Sequence, residues 1–582
     1  MTSASAATRR LPKPLVPALV SALLVLLLST GISAAMFVYR AASPLLSAGE
    51  LNNYFAYFQD LVAAPIAIAF LLFVIFVRAP RFAQLRWPWS DRSAIAAIAI
   101  GVFGLTYGGT WLVFGRYGLS IDEFMADFDA QILRSGRLFG HVPPAMRPMV
   151  DALQPIWLFK TADGSVWSSS YLPGNGAIRA AFSLLGDRAL ANPALAAASV
   201  ALTYAIAREL EPQDRRFALI AVLLLVTSSQ FLVTAMTPYA MTAHVALDLA
   251  WLWLVLDDRP WSRAGALAVS FLACGLHQAI FHPLFVLPFL PWLWASGRRW
   301  QAMVYCVAIA AFTLFWLNYW SIALALVAPG SSAAGLLRVP LLERVVALLD
   351  NARQMSSAAH AADNLLRLLS WQNPLLWVGV AAAVIGLPRL PRISWCLLAG
   401  VVLTIGVMLL LMPAQGHGWG YRYLHGLLGN LALLGAYGWK RIAAAGPAKE
   451  LRVREWLILS AALSLLVLLP LRAWQADAFV RPYREADARI GAIPADVVII
   501  EHAGRWFAQD LVRNRPDLRN RPLRMLASEL DGDDAERLCH HFRVRIVGPG
   551  SSELRPLRDL GAPALQRIAR SRIDDLRDVG CG

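Results

Sequence analysis

Residues 93–115 have the sequence SAIAAIAIGVFGLTYGGTWLVFG, and residues 118–140 follow with GLSIDEFMADFDAQILRSGRLFG. The first stretch is long and apolar enough to cross a bilayer as one helix, because about 20 apolar residues span the hydrocarbon core. The second stretch carries four closely spaced carboxylates, at Asp122, Glu123, Asp127 and Asp129. Charge is costly beside hydrocarbon, so an acidic segment directly after a membrane helix requires a structural or a functional explanation.

The composition of the whole chain indicates an all-α polytopic membrane protein. Of 582 residues, 58% are hydrophobic and 16% are charged, and the mean hydropathy is +0.52, whereas soluble domains have about 45–50% apolar and about 25% charged residues. Runs of apolar residues predict about 13 transmembrane helices. These predicted helices lie at 14–39, 61–77, 93–115, 190–207, 217–235, 238–256, 264–281, 283–297, 301–327, 372–388, 393–413, 424–439 and 456–474.

The distribution of Lys and Arg predicts the orientation of these helices. With the N-terminus in the cytoplasm, the inner segments contain 21 Lys and Arg, whereas the outer loops at 40–60, 328–371 and 414–423 contain six. Positive residues are retained on the cytoplasmic side of a membrane. The pattern therefore predicts a multi-pass protein of the bacterial cytoplasmic membrane, with the C-terminal tail in the periplasm.

The net charge of +15 does not indicate a nucleic-acid partner. From Gln475 onward there are 18 Arg against 17 Asp and Glu, so the excess charge lies beside the membrane helices, where topology explains it. No basic stripe with interleaved aromatic residues occurs. The cytoplasmic loops are short and contain no phosphate-binding GxxxxGK[ST] motif, so we expect the chemistry of the protein to face outward.

Three regions are predicted along the chain. Residues 1–92 contain two N-terminal helices and a basic cytoplasmic loop, and 93–474 form the membrane core with large outer loops at 116–187 and 328–371. Apolar residues recur at helical spacing in the second loop, which predicts amphipathic helices on the membrane surface.

Residues 475–582 are predicted to form a small α/β domain. Its strands are predicted at ADVVII and HFRVRIVG, and its helices at EADARIGAI and ALQRIARSRI. The tail contains only two cysteines, Cys539 and Cys581. An oxidising compartment would allow them to pair.

The acidic stretch has two explanations. Ser120 and Glu123 match the capping box S/T-x-x-E of a helix N-terminus, and the carboxylates of the first turn suit the helix dipole. A capping box does not require Asp122, however. A carboxylate at the edge of a low-dielectric region also suits a general base that acts on a hydroxyl.

Four motifs in order give the sequence a resemblance to a known family. Residues 120–140 fit S-x-D-E-F-x-x-x-F-x-A-x-x-L-x-x-G-R-L-F. WSSSYLPGNGAIRAAFSLLGD begins the segment 167–210, TPYAMTAHVALDLAWLWLVL occupies 237–256, and GWGYRYLHGLLGNLALLGAYGW occupies 418–439. Together these segments resemble the membrane glycosyltransferases of the GT-C superfamily that use dolichyl- or undecaprenyl-phosphate sugars, the group of the protein mannosyltransferases and lipid A aminoarabinose transferases.

The resemblance implies a transfer reaction at the outer face of the membrane. It implies a polyprenyl-phosphate-sugar donor and a lipid, glycan or protein acceptor. Asp122 is the expected catalytic base, with Glu123 beside it, and Arg422 is the only Lys or Arg in its outer loop and the expected ligand of the lipid phosphate. Leu172 departs from the pattern, since these relatives often have a second proline there.

Further substrate-binding candidates lie on the same predicted side. A divalent metal ion is allowed by the resemblance, but the five-residue spacing of His277 and His282 places them about 140° apart on a helix, which is poor for one metal ion. We expect no certain cofactor. The candidates for substrate binding are Tyr171, Tyr423, His417, His244, His277, His282 and Lys160, with Arg147 as an additional cation.

Two other classes of function fit the same membrane helices. A transporter or flippase of lipid-linked sugars would use them without needing large outer loops. A non-catalytic envelope assembly protein would use the acidic stretch only as a helix cap.

Overall fold

The described chain, a computed structural model, covers residues 14–41, 54–77, 90–333, 343, 346–350, 357–444, 447–501, 508–548 and 550–558. Its apolar runs form helices, and polar residues such as Ser90, Ser120 and Ser228 cap several of them. In the first half these helices are α1 (Leu15–Ala41), α2 (Leu61–Phe76), α3 (Asp91–Leu112), α4 (Ile121–Arg134), α5 (Val150–Leu153), α6 (Gly174–Leu184), α7 (Ala191–Leu210), α8 (Arg215–Val226), α9 (Ser229–Ala235) and α10 (Met241–Asp257).

The second half continues the helical bundle. A 3₁₀ turn at Arg422–Leu427 precedes one helix, and a π-helical turn at Ser464–Leu468 joins two others into one long helix. The helices are α11 (Pro260–Cys274), α12 (Phe281–Val286), α13 (Phe289–Ala295), α14 (Arg299–Leu317), α15 (Tyr319–Val327), α16 (Ser357–Ser370), α17 (Pro374–Gly386), α18 (Ile393–Leu411), α19 (Leu428–Ala443), α20 (Pro447–Leu463), α21 (Leu469–Gly491), α22 (Gly532–His541) and α23 (Arg555–Arg558).

Every predicted membrane segment contains helix, but the count of thirteen spanning helices is not confirmed. Within the described residues, seven helices are long and apolar enough to cross a membrane, or nine if each of two bent pairs is one span. The segment predicted at 217–235 bends by 59° between α8 and α9, where Ser228 starts a new helix. The segments predicted at 283–297 and 301–327 are each divided into two shorter helices.

The two additional N-terminal helices pack directly against other helices of the bundle. Helix α1 contacts α16, α17 and α2. The neighbouring pair α17 and α19 lies very close, because a methyl group at Gly438 would come within 1.8 Å of the Gly379 carbonyl oxygen. Small residues of this kind allow membrane helices to pack backbone to backbone.

Two small sheets lie outside the bundle. In the first outer loop, β1 (Gly140–His141), β2 (Leu158–Lys160) and β3 (Val166–Ser169) form an antiparallel sheet in the order β1-β3-β2. In the tail, β4 (Val497–Ile500), β5 (Leu523–Leu526) and β6 (Val544–Val547) form a parallel sheet in the order β5-β4-β6. The predicted strands ADVVII and HFRVRIVG are therefore present, and β5 is a strand that sequence analysis missed.

The tail sheet and the first outer loop share one hydrophobic core. Ile121 and Met125 of α4 belong to the same buried cluster as Val497 and Ile499 of β4 and Leu523 of β5. Through this shared core, the start of α4 packs directly against the tail sheet. The division into regions ending at 92 and 474 remains a prediction, and the long helix formed by α20 and α21 runs across that second boundary.

The prediction of surface helices in 328–371 is corrected for its last part. Helix α16 exists, but Leu366, Arg367 and Leu369 are buried, because Arg367 pairs with Asp60 inside the bundle. Residues 334–342 of this loop and the predicted tail helix ALQRIARSRI lie outside the described residues. Cys581 also lies outside them, so its pairing with Cys539 stays a prediction.

Candidate active site

The start of α4 is built as a capping box, and Glu123 completes it. The Glu123 backbone N–H donates to Ser120 Oγ at 3.3 Å, and Glu123 Oε2 accepts from the Ser120 backbone N–H at 3.0 Å. Glu123 is fully buried. Burial raises the pKa of its carboxyl to about 7, against the lowering effect of the Ser120 backbone hydrogen bond. The contacts of Glu123 are therefore those of a helix-capping residue.

Asp122 points away from the cap and contacts two other predicted site residues. Its Oδ2 accepts from Arg422 Nη1 at 2.8 Å, and its Oδ1 accepts from the Tyr171 hydroxyl at 2.6 Å. Burial acts to raise the pKa of this carboxyl, but the Arg422 charge and the Tyr171 hydrogen bond outweigh it, so the pKa lies below its usual value. Asp122 is therefore an ionised carboxylate at neutral pH.

Arg422 is held rigidly by its own loop. Its backbone N–H donates to Gln415 Oε1 at 2.8 Å, its Nη2 donates to the Gln415 carbonyl, and its guanidinium lies 4.9 Å from the centroid of the Tyr239 ring. The loop can turn so tightly because Gly416, Gly418 and Gly420 all have positive φ. Arg422 Nε is buried and has no hydrogen-bond partner among the described residues, so the guanidinium retains unused donor capacity.

A narrow cleft opens beside this pair. Arg422 and Tyr423 line it together with His244 and Asp248 of α10. His244 is 2% exposed, and neither ring nitrogen has a partner within the described chain. Gly426 keeps the cleft open, because a methyl group there would lie 2.9 Å from Asp248 Oδ2. The cleft thus combines a cation, a carboxylate and an imidazole with unused hydrogen-bonding capacity.

The remaining candidate histidines take different positions. His277 stacks on Tyr171 with ring centroids 4.1 Å apart, which places it against the Asp122 group. His282 is fully buried, and its ring nitrogens contact Asp248 Oδ1 at 2.7 Å and Ser270 Oγ at 3.1 Å. His282 therefore orients Asp248 from behind the cleft.

His417 connects the Arg422 loop to the tail. Its Nε2 donates to Asp510 Oδ2 at 2.8 Å, and Asp510 Oδ1 accepts from the Ile121 backbone N–H at 2.9 Å. Arg513 lies beside this contact and donates to the Leu119 carbonyl at 2.6 Å. The tail thereby binds both segments that supply Asp122 and Arg422.

Two predicted cations are not brought into this group by any contact. Lys160 on β2 pairs with Asp151, whose side chain is 52% exposed. Arg147 Nε donates to the Val142 carbonyl at 3.4 Å. Both contacts are local to the first outer loop, so neither residue shares a partner with Asp122 or Arg422.

Sequence analysis missed Asp248, Tyr239 and Asp510. Asp248 had a usable signal, because it is a carboxylate in an apolar helix, four residues and so about one turn after His244. Tyr239 and Asp510 had none, since their roles depend on the meeting of distant segments. No group of three His, Cys, Asp or Glu side chains in the described part of the chain is arranged to hold a metal ion.

The apolar helices and the structured loops between them define a membrane-embedded, mostly helical protein. The solved structure of ArnT from Cupriavidus metallidurans bound to undecaprenyl phosphate is similar to it, with a TM-score of 0.52 and 12% identity over 84% of this chain and 90% of that one. ArnT from the same organism in the apo state aligns with a TM-score of 0.48, 12% identity, and coverage of 84% and 91%. No protein-family model and no curated protein matches the sequence.

Proposed function

We propose that the protein is an integral membrane glycosyltransferase that transfers a sugar from a polyprenyl-phosphate donor to a hydroxyl group of an envelope lipid, glycan or protein. The observation that carries this proposal is the Asp122–Arg422 pair, 300 residues apart in sequence and 2.8 Å apart in space, whose arginine lines the cleft. The ArnT-like fold supports the lipid-phosphate class of donor.

The pair supplies the two groups that the reaction requires. Asp122 takes the proton of the acceptor hydroxyl while the oxygen of that hydroxyl forms a bond to the anomeric carbon of the sugar. The bond between that carbon and the phosphate oxygen breaks, and its electron pair leaves with the polyprenyl phosphate. Arg422 stabilises this anion through charge-assisted hydrogen bonds, for which its Nε is available.

The same pair gives donor binding a role in activating the base. In the described structure, Arg422 lowers the pKa of Asp122. A phosphate anion on the guanidinium would offset that positive charge and raise the pKa of the carboxyl, because an added negative charge disfavours the ionised form. Asp122 therefore becomes a stronger base once the donor is bound.

We propose that this reaction occurs at the outer face of the bacterial cytoplasmic membrane. The Lys and Arg distribution predicts a periplasmic position for the first outer loop, the Arg422 loop and the tail. The contacts of Asp510 with both loops support this arrangement, since all three segments must lie on one side of the membrane to meet.

The test is transfer from a radiolabelled polyprenyl-phosphate hexose to an envelope extract by the purified protein in proteoliposomes. A transferase yields a new labelled glycosidic product, a flippase only moves the donor across the bilayer, and an assembly protein does neither. Arg422→Gln should abolish most transfer, whereas Arg147→Gln, which removes another outer-loop arginine, should retain it. Donor movement without product would contradict the proposal.

A further inference from the structure

A wide basic groove lies on the outer part of the molecule, apart from the catalytic cleft. One wall is the C-terminal end of α4 with the start of β1, and the other is the tail turn at 515–519. The groove has a volume of about 710 Å³. The charged side chains that line it are Arg134, Arg137, Arg188, Arg515, Arg519 and Asp517.

Three of these arginines have no carboxylate partner. Arg188 pairs with Asp127 at 3.0 Å, and Arg515 pairs with Asp517 at 2.9 Å. In the described residues no ion pair involves the exposed side chains of Arg134, Arg137 and Arg519. The groove therefore concentrates positive charge between the first outer loop, which supplies Arg134 and Arg137, and the tail, which supplies Arg519.

The walls of the groove are fixed before any ligand arrives. Trp167 Nε1 donates to the Pro516 carbonyl at 3.0 Å and joins the tail turn to the first outer loop. Gly140 lies against the same contact, where a methyl group would come within 2.7 Å of the Trp167 ring. The turn itself is held by the Arg515 backbone N–H, which donates to Asn520 Oδ1 at 2.9 Å.

We propose that this groove is a binding site for a polyanionic saccharide, a glycan chain that carries several carboxylate or phosphate groups. Guanidinium groups bind such oxyanions in a bidentate manner, and the width of the groove exceeds the needs of a single anion. The large apolar residues Ile132 and Phe139 that line the groove are buried, whereas Arg134, Arg137 and Arg519 are exposed, which favours an anionic ligand. The site is separate from the cleft, since Arg134 lies 12 residues or about 18 Å along α4 from Asp122.

The experiment measures binding of a fluorescent oligogalacturonate to the full-length protein in detergent at low salt. The triple variant Arg134→Gln, Arg137→Gln, Arg519→Gln should weaken binding roughly tenfold, since three exposed contacts are lost. The matched control, Arg537→Gln, Arg543→Gln, Arg545→Gln, removes the same charge from tail residues outside the groove and should bind as the parent does. Equal weakening in both variants would overturn the proposal, as would displacement by short-chain phosphatidylglycerol but not by unlabelled galacturonate. No transfer activity is needed for this measurement.

A second, independent observation concerns Asp510. It is 2% exposed, and its two carboxylate oxygens contact the Ile121 backbone next to Asp122 and the His417 side chain of the Arg422 loop. These two contacts are enough to join the start of α4 to the Arg422 loop. We infer that Asp510 is a positioning residue that sets the distance between Asp122 and Arg422. This inference rests on the proposed function.

The test compares Asp510→Asn with Asp510→Ala. The amide keeps an oxygen for the Ile121 N–H, so Asn should retain most turnover, whereas Ala should lower kcat about tenfold or more at an unchanged donor KM. Hydrogen exchange of the peptide spanning 116–124 should accelerate in the Ala variant, and this readout does not depend on transfer. Equal kcat loss in both variants, or unchanged exchange in the Ala variant, would overturn the inference.

Discussion

Two buried carboxylate–arginine groups in the described part of the chain differ in how fully the carboxylate is surrounded and in what lies beside it. Asp60 accepts from Arg367 Nε at 3.1 Å, Ser370 Oγ at 3.1 Å and Trp371 Nε1 at 2.8 Å, and Arg472 Nη2 lies 3.4 Å away. Asp60, Arg367 and Arg472 are each at most 2% exposed. Asp122 accepts from only two donors, and its arginine borders a cleft.

The comparison separates a structural charge group from a functional one. The Asp60 group joins α2, α16 and α21, and its carboxylate is already surrounded by donors, so a substrate oxygen cannot reach it. Both groups keep guanidinium nitrogens without partners in the described chain, Arg367 Nη1 and Nη2 and Arg472 Nε in the first and Arg422 Nε in the second. Arg422, however, lines the cleft next to His244, whose ring nitrogens also have no partner among the described residues. Unfilled hydrogen-bonding capacity beside an open space, rather than the presence of an ion pair, is what indicates chemistry.

The largest expected effect is on the functional group. Asp122→Asn keeps the size of the side chain but cannot accept the proton of the acceptor, so turnover should fall by roughly 10²–10⁴-fold. Transfer from a polyprenyl-phosphate sugar in detergent measures it, with thermal unfolding close to the parent. Asp151→Asn, another aspartate of the same loop, is the control and should retain activity. Near-parental turnover of Asp122→Asn would exclude it as the base.

The structural group should respond in the opposite way. Asp60→Asn leaves two buried arginines without a counter-charge, which should lower the free energy of unfolding by about 3–5 kcal/mol. Thermal unfolding in detergent checks the loss of stability, and turnover per folded molecule should stay near the parental value. If Asp60→Asn were as stable as the parent but had lost turnover, the Asp60 group would have a functional role and not a structural one.

Glu123 should give a smaller and pH-dependent effect. Burial raises the pKa of its carboxyl in the folded protein from the ordinary value of 4.5 to about 7. The buried neutral form therefore stabilises the fold fully below pH about 4.5, and this contribution is lost as the pH rises through 7. Glu123→Gln keeps the capping box and removes the titration.

The thermal unfolding midpoint of the parent should consequently decline more steeply between pH 5 and pH 8 than that of Glu123→Gln. The difference corresponds to on the order of 1–3 kcal/mol. Parallel pH profiles would show that Glu123 does not change its protonation state in this range.

The smallest effect is expected at Lys160. Its ammonium group forms a partly exposed pair with Asp151, and exposed pairs contribute about 0–1 kcal/mol. Lys160 also shares no partner with Asp122 or Arg422. Lys160→Met should therefore change transfer by less than about twofold, because only a weak, partly exposed ion pair is lost. A strong rise in donor KM would place Lys160 in the donor site and widen the functional group beyond Asp122 and Arg422.

Sequence analysis recovered the parts of the site that depend on local pattern. The capping box at Ser120 and Glu123 follows from residue types three positions apart, and it is present. The acidic stretch and the family resemblance indicate Asp122, and Arg422 is indicated as the only Lys or Arg of its loop. The structure brings these two side chains together. Their catalytic roles, and those of the other candidates, stay predictions.

The apolar runs by themselves determined that this chain is a helical membrane protein, because a backbone in hydrocarbon must satisfy its hydrogen bonds within each segment. Ser120 and Glu123 likewise determined where α4 begins. Only the tertiary structure decided that Asp510 joins the Arg422 loop to α4, that His282 contacts Asp248, and that α16 packs on Asp60. These contacts connect residues between 34 and 389 positions apart, and no local periodicity records a partner at such a distance.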